Sequence, residues 1–194
     1  MAEITLERRR TALLIADFYA EQMSKLEHAT KRRCVEKAVG VRESARRAGL
    51  LILYSATVFR DGYPEIGGRN KIFVPRKNSG APAVADPIKL MHPQLRPADN
   101  EIVIGKHRVN AMYGTDLSVV LRANDVHTLI MLGFATSGVI LSTARYAADE
   151  DYRILIVEDC CADFEREVHD FLCGRVLSRQ ADIVQSADLI KALA

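Results

Sequence analysis

Three absences bound what this chain can be. No apolar run approaches the ~20 residues that cross a bilayer. Residues 1–10 carry charges with no apolar segment behind them, so a signal peptide is not expected. The four cysteines, Cys34, Cys160, Cys161 and Cys173, show neither a Cys-x-x-Cys pair nor a histidine-spaced ligand pattern. Adjacent Cys160 and Cys161 do not suggest a structural disulfide, and a reducing, cytoplasmic location is the expectation. Charge of one sign is also lacking. The net charge of +2 argues against electrostatically driven nucleic-acid binding. The basic clusters at residues 8–10 and 31–33 read as solvated surface.

What is present is an ordinary globular composition, 48% hydrophobic and 27% charged over 194 residues. That length predicts one domain, residues 1–194, with a substantial core. Apolar runs at 11–17, 50–58, 101–106, 127–133, 152–158 and 181–185 read as strands. They alternate with helical patterns at 28–48, 115–124, 137–149, 165–177 and 188–193. Thr115 is the expected N-cap of the second helix. Such alternation predicts a parallel α/β sheet with right-handed crossovers. All six prolines fall within residues 61–97, a long irregular segment of the kind that forms lids.

Three of the strand-like runs end in polar or small residues. The first ends at Asp17 and the third at Lys106. The fourth leads into Gly133-Phe134-Ala135-Thr136-Ser137-Gly138. Strand C-termini of an open parallel sheet converge on one edge, where ligands bind. Asp17 at an apolar strand end is partly desolvated, which suits general acid/base work, although it could instead cap the next helix. Lys106 could hold an anion or pair with Asp17, or it could be a snorkelling surface lysine. The glycine-containing turn could present N–H groups to an oxyanion, or could serve packing alone. Its spacing is not that of a dinucleotide or phosphate loop.

On these residues the chain resembles the isochorismatase-like, or cysteine hydrolase, family, over residues 11–187. The resemblance is carried by Ala16-Asp17, by Lys106 with Gly114-Thr115-Asp116-Leu117 downstream, and by the turn from Gly133 to Gly138 with the residues that follow it. It implies a three-layer Rossmann-like sandwich with a mostly parallel six-stranded sheet in the order 3-2-1-4-5-6. It also implies a cis peptide between Phe134 and Ala135, and an Asp–Lys–Cys triad. Asp17 and Lys106 match two members of that triad. The residue after Ser137-Gly138 is where the family's amidohydrolases carry the nucleophilic cysteine, and here it is Val139. A valine offers no nucleophile, so thioester chemistry is not available there. Isochorismatases of the family also lack that cysteine and cleave a vinyl ether with the aspartate as acid, but they carry a glycine at this position.

The remaining candidates are weaker. Phe18, Arg60, Tyr63 and Tyr113 are possible pocket residues, with Arg69, Asn70 and Lys71 at the mouth. The loop residues among them read equally well as solvated charge. Cys160 or Cys161 could be a displaced nucleophile, or both could be buried small hydrophobes. Residues 57–64 hold no histidine, so the metal cluster of the family's metal-binding members is not expected, and no cofactor is implied. The reading is a hydrolase acting on a small ether, ester or amide, with or without a carboxylate, through Asp17 and Lys106. The alternatives are a ligand-binding member that has lost catalysis and a cysteine-type amidohydrolase with a displaced nucleophile. A homo-oligomer, dimer or tetramer, is expected from the family's habit.

Overall fold

The computed structural model describes residues 4–194; residues 1–3, part of the charged N-terminal stretch, lie outside it. Six strands form one parallel sheet: β1 (Thr11–Ala16), β2 (Leu51–Thr57), β3 (Ile102–Lys106), β4 (Thr128–Phe134), β5 (Arg153–Ala162) and β6 (Asp182–Val184). Their order is β3-β2-β1-β4-β5-β6. Every residue of β1 and of β4 is buried, as central strands covered on both faces must be. Each fully buried leucine or isoleucine contributes about 1.5–3 kcal/mol, so Leu13-Leu14-Ile15 and Leu129-Ile130 anchor the centre.

The chain leaves β1 towards β2 and β3, then returns on the other side at β4. In register, Ala16 lies between Ser55 of β2 and Gly133 of β4. That reversal between β1 and β4 opens a crevice beyond the strand ends. Helices surround the sheet. Among them α3 (Cys34–Arg47) and α8 (Ser186–Leu193) pack on each other and on β5, as does α6 (Leu141–Asp149) on β5. No helix among the described residues is long and apolar enough to cross a membrane.

Several boundaries differ from those expected. The helix expected at 28–48 is broken. It follows α1 (Ala20–Lys25) and divides into α2 (Glu27–Lys31) and α3, with Arg33 left-handed at φ 57° between them. The preceding Arg32 reaches the Glu158 carboxylate, and this tertiary contact overrides helix propensity. The second expected helix, α5 (Leu117–Ala123), has Asp116 rather than Thr115 at its N-cap position. Thr115 Oγ1 still accepts from Leu117 N–H at 3.3 Å while donating to Ala111 O at 2.7 Å.

The helix expected from Ser137 starts later, because a π-turn (Thr136–Ile140) precedes α6 and Gly138 within it departs from helical geometry. The helix expected at 165–177 is α7 (Arg166–Phe171), followed by a second π-turn. Strand β5 runs on to Ala162, so Cys160 and Cys161 lie inside it rather than past its end. The proline-rich segment is built from α4 (Val74–Asn78) and the 3₁₀ turns Pro87–Leu90 and Pro93–Leu95. It is tied to the end of β1 by a Tyr19–Met91 bridge and by His92 N–H donating to Phe18 O at 2.7 Å.

Candidate active site

Asp17 is the first residue beyond β1. Its N–H still donates to Ser55 O at 2.9 Å, so the backbone is held as a continuation of the sheet. Its φ of 54° then turns the chain sharply. Aspartate tolerates the left-handed region better than most residues, and such outliers concentrate at functional sites. The residue is 6% exposed. Oδ2 lies 2.7 Å from Lys106 Nζ. Oδ1 is buried without a hydrogen-bond partner among the described residues.

Lys106, the last residue of β3, is 1% exposed. An ammonium has three protons to donate. Lys106 has three acceptors: Asp17 Oδ2, Thr57 Oγ1 at 2.5 Å and Arg108 O at 3.1 Å. The cation is therefore saturated within the protein, and Asp17 Oδ1 is the atom of the pair with unused capacity. Burial raises the Asp17 carboxyl above its ordinary range, and this outweighs the opposing pull of Lys106 and a smaller one from the Tyr19 phenol. A carboxyl made a weaker acid in this way can carry a proton nearer neutrality.

The turn after β4 adjoins this pair because Gly133 is registered with Ala16. The Phe134–Ala135 peptide is cis. Ser137 N–H donates to Asp163 Oδ2 at 2.5 Å, and Gly138 N–H to Ala135 O at 3.0 Å. Those two N–H groups are thus committed inside the protein rather than free for an oxyanion. Val139 is 2% exposed.

Thr136 anchors the turn from below. Its Oγ1 contacts Ala162 O at 3.0 Å and His169 Nδ1 at 2.8 Å, while His169 Nε2 lies 2.8 Å from Glu158 Oε1. Hydroxyl, imidazole and carboxylate are in the sequence of contacts that a hydrolytic triad uses. Thr136 and His169 are both 0% exposed, however, so no substrate reaches them, and the arrangement braces the turn. Glu158, His169 and Asp170 are close enough together to share an ion. Glu158 and His169 already engage each other, and Glu158 also engages Arg32 and Gln185, so the group reads as an ion-pair network.

The other candidates lie elsewhere or are otherwise engaged. Phe18 is buried. Arg60 pairs with Glu65, and the Tyr63 hydroxyl donates to Ala81 O within a small cluster of Phe59, Tyr63 and Ile66. Tyr113 is 60% exposed. Cys160 and Cys161 are 0% exposed, and burial pushes both thiols well above their ordinary range. That is the opposite of what a nucleophile needs.

Two residues went unnoticed in the sequence, Thr57 and Tyr19. Thr57 ends β2 just as Asp17 follows β1, and the same strand-end argument applies to it. Tyr19, two residues past Asp17, accepts a hydrogen bond from Thr57 N–H at 2.7 Å.

Known proteins share both the sequence pattern and the architecture. The maleamate amidohydrolase of Pseudomonas putida is 28% identical over 193 residues, 95% of this chain and 87% of that protein. The N-carbamoylsarcosine amidase structure from Thermoplasma acidophilum superposes with a TM-score of 0.70 at 28% identity, covering 91% of this chain and 96% of that one. A cysteine hydrolase structure from Pseudomonas syringae reaches a TM-score of 0.86 at 19% identity, covering 98% and 95%, and so shares the fold. The isochorismatase domain model matches residues 11–188, which take in every strand of the sheet together with Asp17, Lys106 and the turn after β4, and the chain belongs to the isochorismatase family.

Proposed function

We propose that this family member is a hydrolase that cleaves a C–N or C–O bond of a small substrate by proton transfer at Asp17. Lys106 acts as a fixed cation beside it, and no covalent intermediate forms at Val139. The observation that carries this reading is the division of labour within the pair: Lys106 has three protein acceptors, while Asp17 Oδ1 has no hydrogen-bond partner among the described residues. With an amide, Asp17 takes a proton from the attacking water and returns it to the departing nitrogen. With a vinyl ether, it gives a proton to the carbon of the double bond before water adds.

The names of the amidohydrolase relatives favour amides as the first substrates to try. A panel of maleamate, N-carbamoylsarcosine and isochorismate tests the reading. Turnover of any one that resists iodoacetamide supports it. Turnover that iodoacetamide abolishes and substrate protects would return the role to a thiol. Val139→Cys is expected to add an iodoacetamide-sensitive amidase, since a thiol would then stand at the family's nucleophile position.

A second reading, a ligand-binding protein without turnover, is favoured by the buried, apolar Val139. It predicts calorimetric binding of a panel member with no product. A cytoplasmic setting suits four unpaired thiols. A dimer or tetramer is also proposed, and light scattering that reports only monomer at micromolar concentration would refute it.

A further inference from the structure

Among the described residues Asp17 Oδ1 is a buried oxygen to which no donor is aligned, and the Tyr19 phenol is a donor that acts on the same carboxyl. A phenol has one proton to give and lone pairs to receive. Thr57 N–H occupies a lone pair of Tyr19 Oη, which leaves the phenolic proton for Asp17, the carboxyl on which this phenol acts. The ring is fixed to the same framework as the carboxylate. Thr57 Oγ1 accepts from Lys106 Nζ at 2.5 Å, Lys106 holds Asp17 Oδ2 at 2.7 Å, and Tyr19 N–H donates to Asp17 O at 2.8 Å. Asp17, Lys106, Thr57 and Tyr19 thus close a ring of contacts. The Tyr19–Met91 bridge holds that ring against the proline-rich segment.

We propose that Tyr19 is a positioning residue of this site, its phenolic O–H held for Asp17 and tuning how tightly that carboxylate keeps the proton it transfers. The proposal rests on Asp17 being the proton-transfer group. Burial and the nearby Asp17 charge push the phenol well above its ordinary range, so it remains a donor throughout the working pH range and never serves as the base. The groups that act on Asp17 are few. Among the described residues they are Lys106 from β3 and Tyr19 from the segment after β1, and the neutral Thr57 of β2 touches both of these. His107 turns to Val58 O and Arg108 to His107 O.

The experiment follows Asp17 itself, in protein labelled with ¹³C at its aspartate carboxyls, the Asp17 signal being assigned by its loss in Asp17→Asn. Tyr19→Phe keeps the ring and removes the donor. The Asp17 midpoint is expected to rise by about three- to tenfold in proton affinity, the worth of one hydrogen bond. Replacing Tyr19 with 3,5-difluorotyrosine strengthens the donor without losing a contact, and the midpoint is expected to fall. If Tyr19→Phe does not fold, the fluorinated protein decides alone. Midpoints unchanged from the wild type would overturn the proposal. Shifted midpoints without turnover of any panel substrate would leave Tyr19 in place and sink the hydrolase reading.

Discussion

Gly133 and Ala16 approach so closely that no other residue fits at position 133. A Cβ there would stand 2.0 Å from Ala16 O, and φ is +150°. The contact seats the cis-peptide turn against the end of β1, one residue before Asp17. Gly133→Ala should therefore cost about 3 kcal/mol or more, through backbone strain and displacement of the central strand pair. Urea unfolding measures this, and a cost below about 1 kcal/mol would mean the two strands separate easily.

Glu158 gives the fold a defined dependence on acid. The hydrogen bond from His169, aided by Gln185 and Arg32 and opposed by burial, pulls its pKa from 4.5 to about 2. The unfolded chain takes up a proton that the folded chain resists. The carboxylate's contribution is therefore complete above about 4.5 and is lost as pH falls towards about 2. Its size is up to ~3 kcal/mol. Glu158→Gln should lower the unfolding free energy at pH 7 and converge on the wild type near pH 2, as read by urea titrations at a series of pH values. Asp17 acts in the opposite sense. Its raised pKa means the folded protein holds a proton that the unfolded chain releases, so its contribution declines as pH rises.

The thiols should be silent. Cys34, Cys160, Cys161 and Cys173 are each at most 4% exposed. Burial pushes Cys34 up to about 11 and Cys173 up to about 12. A thiol-reactive chromogenic reagent is expected to find no group in the native protein within minutes and four after denaturation. A rapid native reaction at one thiol would reopen the displaced-nucleophile reading.

The centre of the sheet and the Asp17–Lys106 edge could be read from the chain because each depends on apolar runs and where they end. The edge of β5 could not. Glu158-Asp159 looks like a strand terminus, yet the strand continues because their charges are met from other elements. Arg32, His169 and Gln185 reach Glu158, while Lys37 and Ser186 reach Asp159. The same long-range contacts break the first helix near Arg33. Tyr19 stayed hidden for a related reason: its partner Thr57 is distant in sequence, and only the strand register brings them together.

The central claim is that Asp17 carries the proton. Asp17→Asn keeps the shape of the side chain but cannot exchange a proton. On whichever panel substrate the wild type turns over, kcat for this variant should fall by about 10²–10⁴-fold while the circular dichroism spectrum stays unchanged. A folded Asp17→Asn protein with kcat within about threefold of wild type would contradict the account, since a general acid/base is worth far more than that.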